Sequence, residues 1–374
     1  MRIRVDATTL LLQSAGVKTY LHYWLDSLTK AAIPNGDQVT TFPPGLVPTG
    51  ELHHTSSTTN SVADRLRLHL VHFANLRHNP AIHLFLLGTD VFHCSQHSAN
   101  APKSKKFTAT LFDMSCWTTP QYHTPQNVAA TRRYADRILK RCDGIIAISH
   151  HARRDAIDIL GIPEERIQVI YPGIAEAFFR ATDIEADQAR VKYKLHSPYV
   201  LFVGCIEPRK NIAGLLRAWQ ALPEAMRREA NLVIAGPFGW ESGNMRTLLT
   251  GGAAAIKYLG YVAEADLPGL FAGAAAFVYP SFYEGFGLPV AQAMAAGVPV
   301  ITSNRSCLPE VVGDAGICVD PDFSDNLTAA MYDVLTQPSL ANTLKDLGLI
   351  RARRFQWASS AAESIAFFHT VAGK

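Results

Sequence analysis

The stretch Tyr279–Pro299, YPSFYEGFGLPVAQAMAAGVP, predicts a strand, a tight turn and a helix in immediate succession. Gly285 and Gly287 allow the positive φ and the close backbone approach that such a turn needs. Pro289 suits the first helical turn, where no N–H is required. The N–H groups that open this helix favour an anion such as a diphosphate, and Glu284 beside them can accept hydrogen bonds from ligand hydroxyls. The alternative is a plain corner with a solvated glutamate.

A second segment, Val203–Leu216 (VGCIEPRKNIAGLL), has the same predicted order of strand, loop and helix. Gly204 opens the loop, and Asn211 is placed to cap the helix. Arg209 and Lys210 stand just before the helix, where cations oppose its dipole. A phosphate group between these cations and the helix would resolve that conflict. A solvated basic turn is the alternative interpretation.

Around these two segments, short β-branched runs alternate with helical patterns, which is typical of parallel sheets with crossover helices. The strands predicted in the first half are Arg2–Asp6, Gln38–Phe42, Ile82–Leu86, Val91–Cys94, Phe107–Phe112, Gly144–Ser149 and Ile167–Tyr171. Those in the second half are Tyr199–Val203, Asn231–Ala235, Ile256–Leu259, Ala276–Val278, Val298–Thr302 and Ile317–Val319. The predicted helices include Val17–Ala32, Asn127–Arg141, Ile212–Ala221 and Leu288–Ala296. Residues 43–60 predict a surface loop.

The composition agrees with two folded domains. The chain has 374 residues, of which 48% are hydrophobic, and a break in periodicity near Pro172–Arg180 separates the two halves. A net charge of +3 is too small to indicate a nucleic-acid partner. Six cysteines without a Cys-x-x-Cys pair indicate reduced thiols in a cytoplasmic protein. With neither a signal peptide nor a membrane span expected, any membrane contact would be peripheral.

Four segments resemble, in order and spacing, the C-terminal half of retaining glycosyltransferases of family 4. They are PSFYEGFGLPVAQAMAAGVPVI, VGCIEPRKN, LGYV (Leu259–Val262) and SCLPEVVGDAG (Ser306–Gly316). In the first half, Gly16 stands in a stretch similar to the family's glycine loop, and Tyr171–Gly173 also matches a family segment. Phe355–Ala372 is similar to the terminal helix that crosses back onto the first domain in this family.

The resemblance implies the α/β GT-B fold, two Rossmann-like doubly wound domains that face each other across an interdomain cleft. Residues 1–175, joined by the helix at 356–374, would form the acceptor domain. Residues 176–355 would form the domain that binds the nucleotide-sugar donor. Ligands of such sheets bind beyond the carboxyl ends of the strands, so the cleft is the expected site.

The resemblance also implies roles for individual residues. Lys210 with Arg209 would neutralise the donor diphosphate, and Glu284 would hold hydroxyls of the donor sugar. The leaving phosphate would accept the proton of the acceptor, while Asp113 would orient the acceptor hydroxyl or act as base. A turn-capping role is the alternative for Asp113. The catalytic set is thus Asp113, Lys210 and Glu284, and the further donor-binding residues are Gly16, Gly204, Arg209, Tyr261, Val262, Gly285, Phe286, Gly287, Leu288 and Gln292.

Three positions depart from the family pattern. Gln292 stands where the family usually has a second glutamate for the ribose hydroxyls, and an uncharged amide accepts more weakly. Cys205 stands where some members place an arginine facing the phosphate. Phe112 replaces a histidine that often precedes the aspartate at this strand end.

The sequence therefore predicts a retaining, metal-independent transferase that needs no cofactor besides its donor, for which GDP-mannose is favoured. Its acceptor would be a glycan or a lipid-linked sugar in surface polysaccharide or glycoconjugate synthesis. The alternatives are a GT-B sugar-nucleotide epimerase and a nucleotide-sugar-binding protein with reduced catalysis. A dinucleotide oxidoreductase is disfavoured because no Gly-x-Gly-x-x-Gly follows the first strand.

Three other features of the sequence are candidate sites. Asp320 and Asp322 form an Asp-x-Asp pair, but the turn between them favours a structural role over a metal site. His93 and His97 at a strand end could line an acceptor pocket. The basic run Thr131–Arg141 is either a solvated helix face or a contact for an anionic membrane or a lipid-diphosphate acceptor.

Overall fold

The computed structural model describes residues 1–12, 16–46, 62–74, 86–98, 102, 105–195, 198–240, 243–251 and 255–373. Within these ranges the strands are β1 (Arg2–Asp6), β2 (Gln38–Phe42), β3 (Val91–Cys94), β4 (Lys106–Leu111), β5 (Gly144–Ala147), β6 (Ile167–Val169), β7 (Tyr199–Val203), β8 (Asn231–Ala235), β9 (Ile256–Gly260), β10 (Ala276–Tyr279), β11 (Val300–Ser303) and β12 (Gly316–Val319).

The α-helices of the same ranges are α1 (Gly16–Ala32), α2 (Val62–Ala74), α3 (Ser115–Thr118), α4 (Pro125–Tyr134), α5 (His150–Leu160), α6 (Glu176–Phe179), α7 (Asp183–Tyr193), α8 (Ile212–Ala221), α9 (Glu224–Glu229), α10 (Gly243–Thr250), α11 (Leu267–Ala272), α12 (Leu288–Ala295), α13 (Leu308–Val312), α14 (Ser324–Thr336), α15 (Pro338–Ala352) and α16 (Trp357–Ala372). The 3-10 turns are Thr8–Leu11, Ile33–Asn35, Pro120–Tyr122, Glu164–Arg166, Pro208–Lys210, Glu264–Asp266 and Gly313–Ala315.

The chain divides into two compact units, Met1–Gly173 with Gln356–Lys374, and Ile174–Phe355. We call them the first and the second unit. In the first unit the described strands form one parallel sheet in the order β2-β1-β3-β4-β5-β6. All residues of β3 and β5 are buried, as expected of parallel strands that are covered on both faces.

The second unit contains another parallel sheet, in the order β12-β11-β10-β7-β8-β9. From β7 the chain adds strands towards one edge and then returns to the other side at β10, so the order reverses between β7 and β10. This is the Rossmann arrangement, and its ligands bind where the order reverses, outside the carboxyl ends of the strands. The predicted α/β class with two doubly wound domains is confirmed.

Helix α16 completes the first unit by packing on α1. Trp24 Nε1 donates to Ser364 Oγ at 3.0 Å, and the Tyr23 and Trp357 rings stack with centroids 6.0 Å apart. A Cβ atom on Gly173 would lie 2.2 Å from the backbone nitrogen of Trp357, so the close approach of these two segments requires glycine at position 173.

One predicted helix differs from the structure, and two other predictions fall largely outside the described residues. The predicted helix Asn127–Arg141 is α-helical only to Tyr134 and continues as a π-helical turn, Ala135–Leu139. Of the predicted strand Ile82–Leu86, residues 82–85 lie outside the described residues, as do residues 47–60 of the predicted loop. In the described part of the chain, no helix is both long enough and apolar enough to cross a membrane.

Candidate active site

The candidate site lies where the strand order of the second unit reverses. Strands β7 and β10 pair directly, with Val200 opposite Ala276 and Leu201 opposite Phe277. The loop after β7 carries Lys210. Because parallel neighbours end at the same sheet edge, this loop meets the loop after β10, which carries Glu284.

The Lys210 ammonium group is buried at the centre of the site. Its Nζ donates to Glu284 Oε1 at 2.6 Å and to the Tyr279 hydroxyl at 2.6 Å. The Lys210 and Glu284 side chains are only 10% and 9% exposed. An ammonium group has three N–H donors, so the third can meet a ligand oxygen.

The Arg209 guanidinium joins two carboxylates beside this pair. Arg209 Nη2 donates to Glu207 Oε1 at 2.6 Å, and Nη1 lies 3.2 Å from Glu284 Oε2. Nη1 also donates to the carbonyl oxygen of Tyr283. The site is therefore a cluster of two cations and two carboxylates, Glu207, Arg209, Lys210 and Glu284, which we call the charged cluster.

The Glu284 carboxylate remains ionised in this buried position. Burial raises its pKa, but the charges of Lys210 and Arg209 outweigh that effect and lower the pKa from 4.5 to about 2. Glu284 can thus accept hydrogen bonds from ligand hydroxyls at any physiological pH.

The backbone around Glu284 is held by several loops. Its N–H donates to Ser306 Oγ at 2.9 Å, and Cys307 Sγ donates to its carbonyl oxygen at 3.1 Å. Gly287 enters α12 with φ +85°, and a Cβ atom there would lie 2.6 Å from Leu308 Cδ2. Both the conformation and the contact demand glycine at this turn.

Asn211 places the loop after β7, as the sequence predicts. Its side-chain oxygen caps α8 by accepting from the Gly214 N–H at 3.1 Å. Its Nδ2 donates to the Pro321 carbonyl oxygen, beyond β12, at 2.8 Å. Loops that follow both β7 and β12 are therefore tied together at this edge.

The other predicted donor-binding residues of the second unit surround the same edge. Gly204 follows β7, and its carbonyl oxygen would lie 2.0 Å from a Cβ atom on Gly236. Tyr261 and Val262 follow β9, with Val262 buried. Phe286 is buried and packs edge-to-face on Phe355. The remaining four belong to the turn before α12 or to α12 itself: Gly285, Gly287 and Gln292 are buried, and Leu288 is half-buried.

Cys205 supplies no cation where some family members have arginine. Burial raises the pKa of its thiol to about 11, so the side chain is neutral near pH 7. The cations of the charged cluster are therefore Arg209 and Lys210, without a contribution from position 205.

Asp113 and Gly16 belong to the first unit. Asp113 follows β4 and accepts from the N–H of Ser115 at 3.0 Å and from its hydroxyl at 2.7 Å, which is a turn-capping arrangement. Gly16 is the first residue of α1, and a Cβ atom there would have no neighbour within 4 Å. Their proposed roles towards acceptor and donor remain predictions.

The acceptor-pocket interpretation of His93 is wrong. His93 is buried, with its ring nitrogens 2.8 Å and 2.9 Å from the hydroxyls of Thr108 and Thr110. Its ring also packs against Trp24 and Phe368. Burial lowers the His93 pKa to about 3, so it is a neutral core residue. The strand alternation could not show which face of β3 is covered by α16.

Arg305 forms ion pairs with both aspartates of the Asp-x-Asp pair. One of its nitrogens lies 2.9 Å from both Asp320 Oδ1 and Asp322 Oδ2. Among the residues described, no group of three His, Cys, Asp or Glu side chains is arranged to hold a metal ion.

Three residues of the site carried no role in the sequence interpretation: Glu207, Tyr279 and Ser306. All three stand within the segments quoted above, and Tyr279 is the last residue of β10. Glu207 alone left a signal, because a carboxylate two residues before an arginine in one loop suggests an ion pair.

Comparisons with known proteins agree with this architecture. Residues 15–178 match the profile "Glycosyltransferase Family 4", and residues 183–348 match "Glycosyl transferases group 1". The chain is 37% identical over 264 residues to the O-antigen chain mannosyltransferase B of Escherichia coli, covering 70% of this chain and 69% of that protein. It is 31% identical to the Escherichia coli serotype-specific mannosyltransferase WbdA, over 59% of this chain and only 28% of that longer protein.

Solved structures share the fold at low sequence identity. Sucrose-phosphate synthase of Thermosynechococcus elongatus matches with a TM-score of 0.74 at 18% identity, over 99% of both chains. WaaG, a glycosyltransferase involved in lipopolysaccharide biosynthesis, matches with a TM-score of 0.69 at 16% identity, over 100% of both.

The two parallel doubly wound sheets and the likeness to solved structures define the GT-B fold, and the two matching profiles show that the chain is a glycosyltransferase. Within that class, the chain belongs to glycosyltransferase family 4.

Proposed function

We propose that this glycosyltransferase moves mannose from GDP-mannose to a hydroxyl of a glycan or lipid-linked acceptor, with retention of configuration, in the synthesis of a surface polysaccharide. The buried Lys210–Glu284 pair carries the proposal, because it sets a cation and a sugar-binding carboxylate 2.6 Å apart. The names of the mannosyltransferase relatives support mannose as the sugar.

In the proposed reaction, the bond between the anomeric carbon and the diphosphate breaks, and the acceptor oxygen bonds to the same face of that carbon. A phosphate oxygen of the leaving group accepts the acceptor proton. Lys210 and the N–H groups at the start of α12 stabilise the charge that develops on the diphosphate. Glu284 orients the sugar through its hydroxyls, and Asp113 orients the acceptor hydroxyl.

A thermal-shift screen of GDP-, UDP-, ADP- and dTDP-sugars tests the donor, and transfer of labelled mannose to mannose-terminated oligosaccharides tests the reaction. We expect GDP-mannose to give the largest shift and a glycosidic product. A larger shift with another nucleotide sugar than with GDP-mannose would contradict the donor assignment. Conversion of the donor without any acceptor would favour the epimerase alternative.

The basic run that includes Arg132 and Arg133 supports an anionic acceptor. Both side chains are exposed on α4, whereas Lys140 nearby is paired with Asp136 at 2.8 Å. These charges suit a lipid diphosphate or an anionic membrane surface.

Transfer is expected to survive EDTA. Lys210 and the N–H groups of α12 supply the charge stabilisation that a metal ion provides in other transferases. Product formation is measured in buffer treated with chelator and again after dialysis against Mg²⁺ or Mn²⁺. Activity that disappears with EDTA and returns with either ion would contradict the proposal and direct attention back to Asp320 and Asp322.

Replacing Gln292 with glutamate is expected to tighten GDP by about 1–2 kcal/mol, because a carboxylate accepts more strongly from ribose hydroxyls than an amide does. The charge of the diphosphate opposes part of this gain. Titration calorimetry with GDP measures it, and Gln220→Glu on the exposed face of α8 is the control. Unchanged GDP affinity in a folded Gln292→Glu variant would mean that another residue holds the ribose.

A further inference from the structure

We propose that Glu207 is a positioning residue of the donor site, which holds the Arg209 guanidinium against Glu284 and so sets the carboxylate that meets the donor sugar. The inference rests on the proposed function. It differs from the role that the resemblance implies for Arg209, which is to neutralise the donor diphosphate together with Lys210. Arg209 would act through Glu284, while Lys210 serves the diphosphate.

The side-chain geometry supports this division of roles. The Arg209 donors that face Glu207 and Glu284 are both on its guanidinium, which bridges the two carboxylates. Glu207 is 5% exposed and Arg209 is 12% exposed, so neither side chain can move far within the packed loops. A planar guanidinium fixed by Glu207 on one side presents its other donors in a defined direction.

The backbone ties the same two loops together. The Phe282 N–H donates to the Arg209 carbonyl oxygen at 2.9 Å, and Arg209 Nη1 donates to the Tyr283 carbonyl oxygen. On the other side, the Lys210 N–H donates to the Glu207 carbonyl oxygen at 3.0 Å and closes a 3-10 turn. Glu207 and Arg209 thus flank Pro208 in a rigid turn, from which the Arg209 side chain reaches the loop that carries Glu284.

A counter-charge role and a positioning role of Glu207 predict different effects of its substitution on GDP binding and on sugar transfer. The charged cluster contains two cations and two carboxylates, so its side chains sum to zero. If Glu207 were only a counter-charge, its neutralisation would add positive charge near the diphosphate and leave the sugar unaffected. If Glu207 positions Arg209, its loss misplaces the Glu284 carboxylate and slows sugar transfer.

A double-mutant cycle separates the two possibilities. Glu207→Gln is expected to lower kcat about tenfold, while the Kd for GDP stays unchanged or falls. This result is expected if Glu207 acts together with Arg209. In an Arg209→Gln background, the same substitution is expected to change kcat by less than about twofold. Glu207→Asp keeps the charge and shortens the side chain, so we expect it also to lower kcat.

Glu224→Gln is the matched control, because Glu224 forms an equally short pair with Arg228, at 2.6 Å, but is 67% exposed. The inference is overturned if Glu207→Gln retains the wild-type kcat, if its effect is the same in both backgrounds, or if Glu207→Asp is indistinguishable from wild type. Parallel loss of GDP affinity and kcat would also overturn it, because that pattern indicates general damage to the site.

The cycle uses GDP-mannose, or the nucleotide sugar that the donor screen selects in its place. A wrong donor would therefore refute the donor assignment while leaving the test of Glu207 intact. Circular dichroism and the thermal midpoint establish that each variant is folded. If Glu207→Gln does not fold, Glu207→Asp and the Arg209→Gln background decide the outcome.

Discussion

Replacing Lys210 with alanine is expected to remove about 2–4 kcal/mol of transition-state stabilisation, which is roughly 30- to 1000-fold in kcat/KM for the donor. The ammonium group is buried at the end of the loop that precedes α8, and the proposed diphosphate would have no equivalent counter-charge without it. Steady-state kinetics with the donor at saturating acceptor measure the effect.

Lys192→Ala provides the control for this variant. Lys192 forms a pair with Asp266 at 2.6 Å, the same distance as the Lys210–Glu284 pair, but its side chain is 58% exposed. Its loss should leave kcat/KM unchanged because exposed pairs contribute little. A Lys210→Ala enzyme with near-normal kcat/KM would show that Lys210 does not serve the diphosphate.

Replacing Glu284 with glutamine is expected to lower the free energy of unfolding by about 3–5 kcal/mol near pH 7, since it leaves two buried cations with one carboxylate fewer. The same change replaces the proposed charged acceptor of the sugar hydroxyls with an amide oxygen that accepts more weakly, so kcat should fall as well. Urea denaturation measures the stability, and transfer assays of the folded fraction measure kcat.

The stability effect carries a specific pH dependence. Because the pKa of Glu284 is lowered from 4.5 to about 2, its ionised form stabilises the folded protein fully above about pH 4.5. This contribution is lost as the pH falls through about 2, so the gap between wild type and Glu284→Gln should narrow across that range. Glu224→Gln, at an exposed pair, should show no such gap. A gap that stays constant with pH would mean that Glu284 is not the charged partner of Lys210 and Arg209.

These two variants also separate the halves of the proposed site. Lys210→Ala should weaken GDP and GDP-mannose together, because both contain the diphosphate. Glu284→Gln should weaken GDP-mannose more than GDP, because only the sugar meets the carboxylate. Calorimetric titration of both ligands against both variants decides this point.

The sequence alone determined where most strands of the chain lie. Arg2–Asp6, Gln38–Phe42, Tyr199–Val203 and Asn231–Ala235 have the same bounds in the structure as in the sequence prediction. The last two of these strands are short, nearly continuous apolar runs, as parallel strands that are covered on both faces require, and such runs are visible without any tertiary information. The turn before α12 was also predictable from the sequence, because Gly287 permits the positive φ of the turn and Pro289 suits the first turn of the helix.

The neighbour of each strand and the partner of each charge were decided by the tertiary structure. From the sequence, Arg209 and Lys210 are two similar neighbouring cations. In the structure, Arg209 donates to Glu207, whereas Lys210 donates to the Tyr279 hydroxyl. The burial of His93 also depends on tertiary structure, because helix α16 covers the face of β3 on which this side chain lies. The physical reason is that local patterns depend on neighbours a few residues away, whereas Lys210 and Glu284 meet across 74 positions only because β7 and β10 lie side by side.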